Sequence, residues 1–225
     1  MDLYNYQSTK INYPISQDLV KQIYNEIEEK GFYDFIESEE TISDIFIKAP
    51  FIGYVLYQIQ NQDTRAKLQD LAEKTFNVKM HGGQITFARY TNKSGGRPTL
   101  HSHYDKFGEY PTLAISIQLN NRIKDWQINI DDSSHYMGRD RAVTYSGTHQ
   151  VHSRPYVEFT DEMYCDVILC QFFPEKDGQP ILIEDMDAHN KRMDDKLEHY
   201  NKIFPDLACR KECYHQSDTC LLYTS

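Results

Sequence analysis

The chain has 225 residues, with 24 Lys and Arg against 34 Asp and Glu, a formal net charge of −10, 40% hydrophobic and 26% charged residues. That is apolar material for one compact core, and the acidic balance without any Lys/Arg-rich block argues against a nucleic-acid partner. The opening MDLYNYQSTKINYP lacks the basic and apolar segments of a signal peptide, the longest apolar run (Phe51 to Tyr57) is too short to span a bilayer, and five cysteines make no even disulfide framework, so a cytoplasmic protein with no membrane partner is expected.

In chain order, SQDLVKQIYNEIEEKG (16–31) places Leu19, Val20, Ile23, Tyr24 and Ile27 three and four apart, with Ser16 as N-cap and Gly31 as stop. The pattern predicts an amphipathic helix. A second helical region is expected from about Pro50 to Phe76, where Asp63 caps a segment whose Leu68, Leu71, Ala72 and Phe76 share a face. From Gly82 the texture changes to short runs of β-branched and aromatic residues, QITFARYT, TLAISIQLN, WQINI, RAVTYS and MYCDVILCQFF, separated by turn formers. Many short strands without helical crossovers point to a sandwich or barrel, and a jelly roll satisfies the spacing. Residues 184–204 are charged with a thin stripe of Met186, Met193, Leu197 and Tyr200, the pattern of a surface helix.

The expected organisation is thus an α+β single domain over residues 1–205. It has a helical N-terminal part (1–80), a jelly-roll core (82–180) and a C-terminal helix. Residues 206–225 read as a disordered tail, although Cys209, Cys213, His215 and Cys220 put four zinc-type ligands within twelve residues at irregular spacing.

The most informative stretch is PTLHSHYDKFGEYPTLAISIQLN. His103 and Asp105 are two apart, and in extended chain residues i and i+2 project to one face. An imidazole and a carboxylate together are two thirds of the facial triad that holds Fe(II) by three protein ligands and leaves three positions open. The third ligand has two candidates in GRDRAVTYSGTHQVHSRP, His149 and His152, whose odd separation sends them to opposite faces of a strand.

These blocks together resemble the iron(II)- and 2-oxoglutarate-dependent oxygenases, in their prolyl-hydroxylase-like branch. The resemblance runs through ITFARY, the Gly-rich NKSGGRP, HSHYD, AISIQLN, Trp126 before INIDD, the HSRP block and DVILCQFF with EKDG, over about residues 82–180 and in the family's order. It implies a double-stranded β-helix core. It makes His103, Asp105 and His152 the metal ligands and catalytic residues, with His149 and His101 as rivals.

It further implies Fe(II) as cofactor, 2-oxoglutarate and O₂ as co-substrates, succinate and CO₂ as co-products, and hydroxylation of an unactivated C–H. A prolyl or other amino-acid side chain, free or in a peptide, is the first candidate substrate. Asp105 keeps the carboxylate that halogenating relatives lack. The chain departs from the family where residues 160–170, TDEMYCDVILC, carry no Lys or Arg to meet the far carboxylate of 2-oxoglutarate. The substitutes are Arg154, two past His152, and Arg89 on ITFARY, with Tyr90 supplying a hydroxyl. Two other readings compete: a non-catalytic jelly-roll binding module, and a cupin-like metal enzyme that does not use 2-oxoglutarate. The loops NKSGGRP and DKFGEYP, with Lys93, Arg97, Lys106, Glu109 and Tyr110, are expected to frame the mouth.

Overall fold

The computed structural model describes residues 2–12, 14–49, 53–94, 97–120, 123 and 126–208. The N-terminal part runs β1 (Thr9–Asn12), α1 (Gln17–Glu29), α2 (Phe32–Glu37), β2 (Phe46–Ala49), β3 (Tyr54–Gln58) and α3 (Gln62–Phe76). There follow β4 (Met80–Thr91), β5 (Leu100–His103), β6 (Leu113–Gln118), β7 (Gln127–Ile130), β8 (Ser133–Tyr136), β9 (Arg141–Tyr145), β10 (His152–Arg154), β11 (Tyr164–Lys176), β12 (Gln179–Pro180) and α4 (Met186–Ile203). The strands pair into a large antiparallel sheet, ordered β1-β9-β6-β11-β4-β3-β2 with β12 on β11, and a small one, ordered β5-β10-β7-β8. This is the expected jelly roll.

Side-chain alternation decides what each face of the large sheet meets. On β11, Ile168, Cys170 and Phe172 join the core beneath the helices, whereas Cys165, Val167 and Leu169 join the clusters between the two sheets. β6 is buried along its whole length, because α1 and α3 cover one face and the small sheet the other. The helix-side core packs Leu19, Ile23 and Ile27 of α1 and Leu68, Ala72 and Phe76 of α3 against Ile85, Phe87, Ile115 and Ile168. Each such Leu, Ile or Phe side chain contributes about 1.5–3 kcal/mol on burial, so truncating the fully buried Ile23 would loosen the layer.

The α1 cap is as expected: Ser16 Oγ accepts from Leu19 N at 3.2 Å, and Gly31 follows at φ +79°. The N-terminal part, however, is not purely helical. Residues 54–58 form β3, because the run Tyr-Val-Leu-Tyr pairs along β4, with Val55 and Tyr57 under the helices and Leu56 packed toward the other side. Strands β1 and β2 likewise extend the large sheet at its two ends. α3 starts later than expected and is capped by Asn61, whose Oδ1 accepts from Thr64 N at 3.0 Å, leaving Asp63 in the first turn.

The C-terminal helix α4 begins after Asp185, which accepts from Ala188 N at 2.9 Å. Its Met193 and Tyr200 pack on Tyr104 and Val151, flanking the small sheet. Among the described residues no helix is long and apolar enough to cross a membrane. The cluster Cys209, Cys213, His215 and Cys220 lies outside the described residues, as do Gly95 and Gly96 of the NKSGGRP loop.

Candidate metal centre

Strands β5 and β10 pair antiparallel with His103 directly opposite His152, and their rings lie 4.2 Å apart, centroid to centroid. Asp105 is two residues beyond His103, held by its own N–H donating to Gly147 O at 2.9 Å. Its Oδ1 lies 3.7 Å from His103 Nε2 and 3.6 Å from His152 Nε2. The three ligand atoms fall within 4.8 Å of one another, the one such His/Cys/Asp/Glu group among the described residues. Bonds of about 2.0–2.2 Å from imidazole nitrogen or carboxylate oxygen to one central ion fit these separations.

The ring orientations fit as well. His103 Nδ1 lies 2.8 Å from the carbonyl oxygen of His101, and His152 Nδ1 lies 3.1 Å from that of Gln150. A carbonyl oxygen can only accept, so in the neutral imidazoles each Nδ1 carries the proton and each Nε2 presents a lone pair to the centre. Partial burial, reinforced by the neighbouring His152, lowers the His103 pKa to about 4, so this ligand is neutral at neutral pH. Burial would raise the Asp105 carboxyl, but His152, His103 and the amide of Gln171 outweigh it and hold the group below the usual carboxylate range. Against the same burial, the Asp105 carboxylate raises His152.

Beyond His152, Arg154 faces the same interior. It is 1% exposed, its guanidinium lies 4.9 Å from the Trp126 ring and 5.9 Å from the Tyr90 ring, and neither Nη1 nor Nη2 has a hydrogen-bond partner. A buried cation left this way costs several kcal/mol unless an anion meets it. Tyr90 is pushed up to about 12 by burial, with Arg154 opposing, and Tyr145 is raised by burial and by Asp105. Both therefore keep their hydroxyl protons. Trp126 is fixed by its indole N–H donating to Pro155 O at 2.8 Å.

Arg89, the other candidate cation, is not brought to this site. Being adjacent to Tyr90 on β4, it projects to the opposite face and forms a two-pronged ion pair with Asp166, at 2.6 and 2.8 Å, which also accepts from Tyr24. His149 is also elsewhere. Its ring sits 4.5 Å from Tyr4 and 4.9 Å from His189, beside α4. His101 contributes its carbonyl oxygen to His103 and is outside the ligand group.

Two residues that the sequence reading passed over shape the centre. Gln171 Nε2 donates to Asp105 Oδ2 at 2.6 Å, and Gly147 lies so close that an added Cβ would sit 2.2 Å from that oxygen. A signal for Gln171 existed: it is the polar member of the inward-facing series Cys165, Val167, Leu169, Gln171. Of the loop residues, Lys93 pairs with Glu37 at 2.7 Å, Arg97 lies over Tyr156, and Lys106 lies over Tyr104. Tyr110 and Phe107 both pack on Phe173, while His103 keeps 39% of its side chain exposed. The centre is therefore open on the His103 side.

No family model matches the sequence, and no curated protein matches it. Solved structures do. A prolyl hydroxylase from Trichoplax adhaerens, in complex with a hypoxia inducible factor oxygen degradation domain peptide fragment, is 12% identical, with 76% of this chain and 85% of that one covered and a TM-score of 0.53. The chain shares the double-stranded β-helix fold of this structure. The collagen prolyl hydroxylase of Paramecium Bursaria Chlorella virus-1, solved as a 2OG complex, is 10% identical over 76% of this chain and 97% of its own, with a TM-score of 0.51. The non-heme alpha ketoglutarate dependent epimerase SnoN from nogalamycin biosynthesis is 11% identical over 73% and 77%, with a TM-score of 0.53. The same double-stranded β-helix thus carries more than one reaction, and what this chain does must be argued from its own site.

Proposed function

We propose that this protein is an Fe(II)- and 2-oxoglutarate-dependent oxygenase that hydroxylates an unactivated C–H of an amino-acid or peptidyl substrate, a prolyl side chain being the first candidate. The observation that carries the reading is the pairing, in one interior, of a closed His-Asp-His ligand group with a buried guanidinium whose terminal nitrogens lack partners. His103, Asp105 and His152 would hold the metal through Nε2, Oδ1 and Nε2. Bound Fe(II) would supply activation of O₂ coupled to oxidative decarboxylation of 2-oxoglutarate to succinate and CO₂.

The other side chains orient. Arg154 receives the far carboxylate of 2-oxoglutarate, its planar fork matching two oxygens, and Tyr90 adds an O–H donor from the facing strand β4. Trp126 stacks on the guanidinium and keeps water from it. His103 is the exposed member of the ligand group, so a substrate would approach from its side. Phe107 and Tyr110, on the loop that follows Asp105, pack on Phe173 and would offer an apolar wall for a side chain. The free, buried thiols of Cys165 and Cys170 suit an Fe(II) protein of the reducing cytoplasm.

The test is an anaerobic titration of metal-free protein with Fe(II) and then 2-oxoglutarate, following the visible charge-transfer band of the chelate. The band should form in wild type and vanish in His103→Ala, Asp105→Ala and His152→Ala. Stoichiometric iron binding without a band in wild type would make it a cupin-like metal protein instead, and no iron binding would leave a binding module.

A further inference from the structure

We propose that Gln171 is a positioning residue that keeps the Asp105 carboxylate monodentate, an inference that rests on the metal-centre reading above. The two oxygens of Asp105 have different surroundings. Oδ1 faces both histidine Nε2 atoms at 3.6–3.7 Å, whereas Oδ2 accepts from Gln171 Nε2 at 2.6 Å. Gly147 closes the space behind Oδ2, and its carbonyl fixes the Asp105 backbone. A carboxylate free to turn can present both oxygens to a cation. Here the second oxygen is already engaged.

The consequence concerns coordination number. Three protein atoms on a six-coordinate ion leave three positions, two for the 2-oxo acid group and one for O₂. A bidentate Asp105 would take one of them. Gln171 suits the task because it sits on β11, paired on both sides opposite Gln84 of β4 and Ala114 of β6, and is only 6% exposed. Its amide donates without carrying charge, so it occupies Oδ2 without repelling a dication, as Lys or Arg there would.

The test uses Co(II), which does not react with O₂ here as Fe(II) would, on the full chain and on Gln171→Leu and Gln171→Met. The methionine variant keeps the length of the side chain and carries the test if the leucine variant does not fold. Calorimetry gives the Co(II) and 2-oxoglutarate affinities, and the visible absorption of Co(II) reports its coordination. Both variants should still bind Co(II), show an altered Co(II) spectrum, and bind 2-oxoglutarate on the order of 10–100-fold more weakly. A purely structural glutamine would lower the melting temperature of the metal-free protein and leave spectrum and 2-oxoglutarate affinity at wild-type values, which would overturn the proposal. Failure of the underlying reading looks different: wild type itself would then bind no Co(II), or bind it equally well as His103→Ala.

Discussion

Arg154 is the residue on which the co-substrate assignment turns, and its role makes an unusual stability prediction. Its Nη1 and Nη2 are buried without hydrogen-bond partners, so replacing it by methionine removes an uncompensated charge while keeping most of the volume. The metal-free Arg154→Met protein should be at least as stable as wild type in urea unfolding. Its 2-oxoglutarate affinity, read from the charge-transfer titration, should fall by about 2–5 kcal/mol, on the order of 30-fold or more. A structural arginine would show the reverse. The triad was legible because His103 and Asp105 stand two apart in extended chain, and His152 with Arg154 repeats that spacing on the neighbouring strand. Arg89 was misplaced because spacing gives alternation but not which parity faces inward. That parity is set by Phe87, which packs under the helices and takes Arg89 with it.

At the level of elements, β4, β6, β7, β9 and β11 carry enough β-branched and aromatic residues to declare themselves, whereas β5, β8 and β10 are short and polar and β1, β2 and β3 lie outside that run. β3 reads as part of a helical region until its partner is known, because a short apolar run has no period of its own. Pairing with β4, far along the chain, decides it. Gly147 shows the same limit: its use lies in the approach of Asp105 and Thr112 from another segment, where a Cβ would meet side-chain oxygens at 2.2 and 2.7 Å. Gly147→Ala should therefore destabilise the protein by about 1–3 kcal/mol and also weaken Co(II) binding, by displacing the carboxylate. Asn61→Ala is the comparison. Loss of the α3 cap should lower stability by about 1 kcal/mol and leave Co(II) affinity unchanged. Paired denaturation and calorimetry on the two variants separate a site glycine from a merely folded one.

Across the whole molecule, the N-terminal turn, α4 and the segment 146–151 meet around two buried histidines. Tyr4 Oη and His189 Nδ1 are 2.8 Å apart, and His149 Nδ1 lies within 2.9–3.1 Å of the hydroxyls of Thr148 and Ser146. Lys196 of α4 donates to His149 O at 3.1 Å and pairs with Asp131, which accepts from Val151 N. The same segment supplies Gly147 to Asp105 and the Gln150 carbonyl to His152, so the helix and the metal ligands share one support. Burial, the charge of His189 and the nearby Lys196 and Arg192 push His149 down to about 4, with Asp2 an opposing charge, while burial, Arg192 and Lys106 lower His189. The fold therefore holds both rings neutral. Well above pH 6.5 neither state binds these protons and their contribution to stability is complete. As pH falls from there toward 4, the unfolded chain takes up protons that the folded protein refuses, so stability declines. For His149 the loss is on the order of 2–3 kcal/mol by pH 4. In urea unfolding of the metal-free protein between pH 7 and 4, wild type should lose that much more stability than the double variant His149→Gln/His189→Gln. His103 titrates in both proteins and cancels in the comparison. An equal acid sensitivity in the two would mean that this junction is not what the proton opens.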